Sequence, residues 1–378
     1  MTDAKARTGE VLYVSTLPGL EPALEAEARE RGLSFRRVEG GIECEGPSGL
    51  HQTANLHLRT ASRVLLRLGS FTAPTADALV RGLERLPMSG VWDGQAPLRL
   101  SVSLHRSVAP GPAVVLESAA VAWNPREVAG TGHLDEEGAG PGLTLLVRGE
   151  GERWTVSADT SGEPLHQRGY RQEVGRAPLR ETLASGILRL AGYAGDVPLV
   201  DPMCGSGTFL VEGAWMSQRR APGLLRAFAF QSFPSFDKAA WERRRAEAEG
   251  EALAEPRVAL RGYDLNAGAL GTARRNAKRA GVTLTLERHD LRTLKAPPEG
   301  PGLVVANPPY GKRVGEAEDL PDLYRALGAT LNGAFRDWRK ALIVPDEPRL
   351  VAALGLKDAR RLPVKNGGLR CLLLLAGG

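Results

Sequence analysis

The chain has 378 residues, of which 42% are hydrophobic and 25% charged, with a net charge of +5. Single hydrophobic cores stop growing at about 250–300 residues, so at least two domains are expected. No apolar run reaches the ~20 residues of a membrane span, "MTDAKARTGE" has no apolar signal core, and Cys44, Cys204, Cys371 and the six histidines have no metal-site or disulfide spacing, so the expectation is a reducing cytoplasm, no membrane and no bound metal.

In chain order, "VLYVST" reads as a strand and "GLEPALEAEARERG" as a helix that stops at Gly32. "FRRVEGGIECEG" reads as two strands around a Gly-Gly turn, and "SGLHQTANLHLRT" as a helix with Ser48 as N-cap. "SRVLLRLGSF" alternates Arg with apolar residues, as a half-buried strand does. Residues 1–70 thus carry the α+β pattern of a small antiparallel sheet with helices on one face. Residues 71–160 repeat that pattern: "DALVRGLERLP" and "AVVLESAAVAW" are helical, and "LRLSVSL", "GLTLLVRG" and "RWTVSAD" are strands. The stretch from 160 to 178 is aperiodic and rich in Gly, Pro and Arg, and reads as a linker.

After this linker, strands alternate with helices, the pattern of a parallel doubly wound sheet. A long connection between Trp215 and Arg257 carries Phe228, Phe230, Phe233 and Phe236 and reads as a docked hydrophobic cover. Ligands of such sheets sit at the carboxyl ends of the strands, and four strand ends here carry a suitable polar group. The first runs into "DPMCGSGT", where Gly205 and Gly207 permit a tight turn and close approach of a ligand to the main chain. No Walker lysine follows, so a phosphate-cradling loop is disfavoured. The second ends in "GYDLN", where Asp264 can accept from two ribose hydroxyls, and the third in "RHDL", where Asp290 can meet an adenine amine.

The fourth strand end is "NPPY". Its prolines cannot donate to a sheet or continue a helix, so they fix a stiff, extended loop. The Asn307 side-chain oxygen and the Pro308 carbonyl can hold the two hydrogens of an amino group, and Tyr310 can stack on a base.

These motifs resemble those of class I S-adenosylmethionine-dependent methyltransferases. Together, "SGEPLHQRGYR", "LRETLA", "DPMCGSGTFLVEGA" and "NPPYGKR" resemble the THUMP-domain guanine-N2 methyltransferases of bacteria. That resemblance implies an α/β chain in three parts: a ferredoxin-like domain (1–70), a THUMP RNA-binding domain (71–160) and a Rossmann-like methyltransferase domain (161–378). The implied cofactor is S-adenosylmethionine, held by Asp201, Cys204, Gly205, Gly207, Thr208, Asp264, Asp290, Leu291, Asn307, Pro178 and Leu179. The implied catalytic loop is Asn307, Pro308, Pro309 and Tyr310. Arg168, Tyr170, Arg171, Lys312 and Arg313 are candidates for RNA contact; for the first three, pinning the linker to the catalytic domain is the favoured reading. Cys204 reads as a small loop residue rather than a thiolate nucleophile.

The implied reaction is methylation of the N2 amine of one guanosine in structured RNA. The "RAPGL" insertion favours 23S rRNA as partner, with tRNA as the alternative. A DNA adenine methyltransferase shares "NPPY" but needs a domain reading the major groove, which the first 160 residues do not resemble. A non-catalytic RNA-binding assembly factor is the third reading, and the acidic strand ends argue against it.

Overall fold

The computed structural model describes residues 9–109, 111–130, 142–172, 179–310 and 320–377. They divide into two units. One holds Thr16 and the described residues before it, Ala28–Leu165 and Arg226–Ala246; the other holds Leu17–Glu27, His166–Leu225 and the described chain from Glu247 on. Among the described residues, no helix is long and apolar enough to cross a membrane.

The first unit is one eight-stranded sheet. Its strands are β1 (Gly9–Thr16), β2 (Ser34–Val38), β3 (Gly41–Pro47), β4 (Ala61–Thr72), β5 (Leu98–His105), β6 (Val128–Gly130), β7 (Leu143–Glu150) and β8 (Arg153–Asp159), in the order β2-β3-β1-β4-β8-β7-β5-β6. Its chain also forms α1 (Glu21–Glu30), shared with the second unit, α2 (Leu50–His57), α3 (Ala76–Glu84) and α4 (Pro112–Trp123). In β1 the even positions Leu12 and Val14 are fully buried, as a period of two on a half-buried strand requires.

The expected boundary at residue 70 falls inside β4. This strand pairs with β1 along its first part (Leu12 opposite Leu66) and with β8 further on (Phe71 opposite Trp154), so the two expected N-terminal domains share a sheet. Ser48 does not cap α2. Gly49 occupies the N-cap with φ 84°, and the Glu10 carboxylate accepts the Gly49 and His51 N–H groups at 2.8 and 2.9 Å. The orphan donors of the helix are thus satisfied from a strand, which local sequence cannot reveal. The phenylalanine-rich connection groups with this first unit: Phe228 stacks on Phe230 at 5.3 Å, and Trp241 meets both edge-on.

The second unit holds β9 (Leu199–Asp201), β10 (Leu260–Asp264), β11 (Thr285–Arg288), β12 (Leu303–Ala306), β13 (Arg339–Pro345), β14 (Arg360–Asn366) and β15 (Leu369–Ala376), in the order β11-β10-β9-β12-β13-β15-β14. The chain also forms α5 (Glu181–Leu190), α6 (Thr208–Ser217), α7 (Lys238–Gly250), most of which belongs to the first unit, α8 (Ala267–Ala280), α9 (Leu320–Asn332) and α10 (Pro348–Ala353). The strands from β11 to β13 are parallel, and β15 is antiparallel to both its neighbours. All four residues of β12 are buried, as in parallel sheets covered on both faces. Strand order reverses between β9 and β12, the position beyond whose carboxyl ends doubly wound sheets hold their ligands. "RRLPVKN" is not legible as a strand because of Pro363 and its cations, yet it forms β14. It lies at the sheet edge, where proline is tolerated.

Candidate active site

Four strand ends build the site. β9 delivers Asp201, and the turn after it passes through Gly205 (φ 52°) and Gly207 (φ 80°) before Thr208 opens α6. Cys204 N–H donates to the Tyr263 carbonyl at 2.9 Å, Gly207 N–H to the Cys204 carbonyl at 2.8 Å, and Asn276 Nδ2 of α8 to the Ser206 carbonyl at 3.0 Å. The turn is therefore held on all sides but one. A Cβ built on Gly205 meets nothing within 4 Å, whereas one on Gly207 would lie 3.2 Å from the Ala273 Cβ. The open side of Gly205 is room for a ligand against bare backbone.

Asp264, at the end of β10, accepts Gly205 N–H at 2.9 Å and Asn266 N–H at 2.8 Å. It joins the first two strand ends and keeps lone pairs on both oxygens for further donors. Asp290, just past β11, caps the short turn Leu291–Thr293 by accepting Arg292 N–H at 2.9 Å, and its side chain is 37% exposed. The Leu291 side chain is buried in the core with Leu327 and Leu331, so its main chain is the part left to meet a cofactor.

Beyond β12, Asn307 Oδ1 is buried and has no hydrogen-bond partner among the described residues. A buried acceptor left unpaired costs about 1–3 kcal/mol, so such an atom calls for an explanation. Tyr310 does not match its expected role. The residue is 2% exposed, and its hydroxyl accepts from Asn366 Nδ2 at 2.5 Å, so it is a core residue and not an open stacking platform. Asn366, on the unforeseen strand β14, has no sequence signal that ties it to the site.

Burial pushes the Asp201 carboxyl up from 3.8 to about 8; the charge of Asp264 acts in the same direction and the Met203 N–H opposes it. An acid with a raised folded pKa contributes stability that is fully present below its unfolded pKa and is lost as pH rises through the folded one. Asp201→Asn is therefore expected to raise Tm relative to the wild type at pH 8 and to equal it near pH 4, in thermal melts at both values. Burial, with Asp201 and Asp264 beside it, holds the Cys204 thiol far above its ordinary range, so no thiolate is available at neutral pH.

Arg168 and Tyr170 are buried (2% and 0% exposed) and are not displayed to a nucleic acid. Tyr170 Oη donates to Glu212 Oε1 at 3.2 Å, Ser185 Oγ to Glu212 Oε2 at 2.6 Å, and Arg168 Nε lies 3.8 Å from Glu212. Arg171 donates to the Leu179 carbonyl at 3.0 Å and to the Thr208 hydroxyl at 2.5 Å, and pairs with Glu181 at 3.5 Å. These three residues pin the linker to α5 and α6. Arg168→Ala leaves the buried Glu212 charge without its cation and is expected to cost about 3–5 kcal/mol in denaturant unfolding. Pro178, Lys312 and Arg313 lie outside the described residues.

Comparison with known proteins places this arrangement. Residues 168–374 match the RMKL-like methyltransferase domain (UPF0020), and residues 11–65 match the ferredoxin-like domain of RlmL. The chain is 33% identical over 377 residues to the "Ribosomal RNA large subunit methyltransferase K/L" of Psychromonas ingrahamii, covering 96% of this chain and 49% of that protein. It thus spans about half the length of that curated relative. Among solved structures, it is similar to SMU.472, a putative methyltransferase complexed with S-adenosylhomocysteine (TM-score 0.84, 25% identity, 98% of this chain and 99% of that one). It is also similar to a Listeria monocytogenes protein described as a predicted N6-adenine-specific DNA methylase (TM-score 0.82, 28% identity, 98% and 96%). The residues present fit a nucleoside donor, given the open side of Gly205 and the acidic strand ends. With more than half its length in that match, the chain belongs to the RMKL-like methyltransferase family, a Rossmann-like fold with a ferredoxin-like N-terminal domain.

Proposed function

We propose that this protein methylates the exocyclic N2 amine of a guanosine in structured RNA, with 23S rRNA as substrate. The observation that carries the reading is the buried Asn307 Oδ1, which has no hydrogen-bond partner among the described residues, beyond β12 at the point where strand order reverses. Such an atom is satisfied when a substrate N–H arrives, so its desolvation cost is met before any reaction.

S-adenosylmethionine supplies an activated methyl group on a sulfonium, and the remaining work falls to this chain. Asp264 accepts from the ribose hydroxyls, Asp290 from the adenine amine, and the turn at Gly205 admits the donor against the backbone. Asn307 Oδ1 and the Pro308 carbonyl accept the two hydrogens of the target amine, which turns its lone pair toward the donor; as the N–C bond forms the methyl–sulfur bond breaks to leave a neutral thioether, and the surplus proton of the amine passes to solvent. Pro308 and Pro309 keep those acceptors preorganised. Good alignment of reacting atoms is worth up to about 7–11 kcal/mol, so positioning alone supplies much of the acceleration. Residues 71–160 serve as a THUMP module that grips the RNA, and Lys312 and Arg313 meet phosphates beside the extruded nucleotide.

The name of the Psychromonas relative and the insertion after Arg220 support large-subunit rRNA over tRNA. The description of the Listeria relative keeps duplex DNA in view as a substrate. The test is tritium transfer from S-adenosylmethionine to purified 23S rRNA, tRNA and duplex DNA, followed by nucleoside analysis. Label in N2-methylguanosine of 23S rRNA is the expected result. Label in tRNA or in N6-methyladenine of DNA replaces the substrate, and no label in any nucleic acid ends the reading.

A further inference from the structure

The two prolines stiffen the loop internally but do not fix its direction. Hydrogen-bonded pairing of β12 with β13 stops at Ala306, and of the four residues Asn307–Tyr310 two are prolines with no N–H to offer. The direction in which Asn307 Oδ1 points must therefore come from side chains further along. Tyr310 is the lever. Its buried hydroxyl accepts from Asn366 Nδ2 at 2.5 Å, 56 residues away in sequence and on β14, three strands from β12. Asn366 is itself 5% exposed. Tyr324 of α9 is fully buried, and its hydroxyl stands 3.5 Å from the Pro309 carbonyl, at the outer limit of a hydrogen bond. An amide buried at the edge of a sheet carries a desolvation cost that an apolar residue would not. Packing alone gives no reason for it; the bond to Tyr310 does.

We propose that Asn366 is a positioning residue for methyl transfer: through the Tyr310 hydroxyl it anchors the Asn-Pro-Pro-Tyr loop so that Asn307 Oδ1 stays unpaired and aimed at the target amine. The inference rests on the role of Asn307 given above. It differs sharply from a role in which the Tyr310 ring stacks on the base, because phenylalanine stacks as well as tyrosine but cannot accept from Asn366.

The experiment uses the full chain, with tritium transfer to 23S rRNA, calorimetric titration with S-adenosylmethionine, and amide exchange of peptides spanning residues 303–310. Tyr310→Phe and Asn366→Ala each lower kcat by about 10-fold or more, since misplacement by an ångström costs up to about 10²-fold. The Kd for S-adenosylmethionine and the KM for RNA stay within about three-fold, a split that a general loss of structure does not give. The double variant is no worse than the poorer single one, because both remove the same bond. Exchange at the Asn307 and Tyr310 amides rises in both variants in the absence of RNA. Should Asn366→Ala not fold, Tyr310→Phe carries the test, since it keeps the packed ring. Wild-type kcat in Tyr310→Phe, additive losses in the double variant, or unchanged exchange overturns the proposal. If the wild type labels no RNA, the substrate reading fails, and amide exchange still decides the anchor.

Discussion

Asn307→Ala lowers methyl transfer by about 10²-fold or more, the scale set by removal of a single preorganised hydrogen-bonding group from a reaction centre. The same variant binds S-adenosylmethionine within a few-fold of the wild type and unfolds at the same denaturant concentration or a slightly higher one. The stability half of the expectation follows from the unpaired state of Asn307 Oδ1. Removing a buried acceptor that has a partner strands that partner; removing one that has none strands nothing and relieves a desolvation cost. A residue whose loss abolishes turnover without loosening the fold is serving the substrate. Calorimetric titration, urea unfolding and tritium transfer on one preparation check all three statements. Transfer at the wild-type rate overturns the assignment, and a loss of stability of 2 kcal/mol or more would show that Oδ1 is bonded in solution.

Gly205→Leu is the second change with a large expected effect, and it acts on the cofactor. Its φ of 52° costs a leucine about 1–2 kcal/mol of left-handed strain, which a domain of this size survives. A Cβ there meets no atom within 4 Å, so the side chain leaves the backbone into open space, the space assigned to the donor. The Kd for S-adenosylmethionine rises at least about 100-fold, or roughly 2.7 kcal/mol, with little change in Tm beyond the strain. Gly207→Leu behaves differently. Its Cβ would sit 3.2 Å from the Ala273 Cβ at a φ of 80°, so α6 and α8 are pushed apart and stability falls together with binding. Titration and melting of the pair separate a ligand-facing glycine from a packing glycine. If Gly205→Leu binds the donor normally, the donor does not lie over this turn.

The features legible in the sequence were those whose chemistry is local. Each of the four strand ends lies within a strand and the few residues after it. Asp264, Asp290 and Asn307 could therefore be named from their immediate neighbours, and the structure brings them to the carboxyl ends of parallel strands of one sheet. The roles that changed belong to residues defined by distant partners. Tyr310 looked like an exposed ring because nothing near it in sequence reveals the Asn366 amide. Arg168 and Tyr170 read from sequence as linker pins or RNA contacts, and Glu212, more than 40 residues on, is what decides for the pin. Strand β14 was missed because its proline and cations read as a loop until the sheet gives it an edge position.

By itself, the sequence determined a parallel doubly wound sheet, a stiff Asn-Pro-Pro-Tyr loop and acidic groups at the strand ends. All of these follow from the residues at single strand–turn junctions, where backbone geometry and side-chain chemistry are set within a few positions. Only the tertiary structure decided that the two N-terminal halves share one sheet through β4, that the phenylalanine-rich connection belongs to the first unit, and that Tyr310 is an anchored core residue. Those outcomes depend on which buried surfaces and polar groups meet across tens of residues, and burial is a property of the folded chain that no short stretch carries alone.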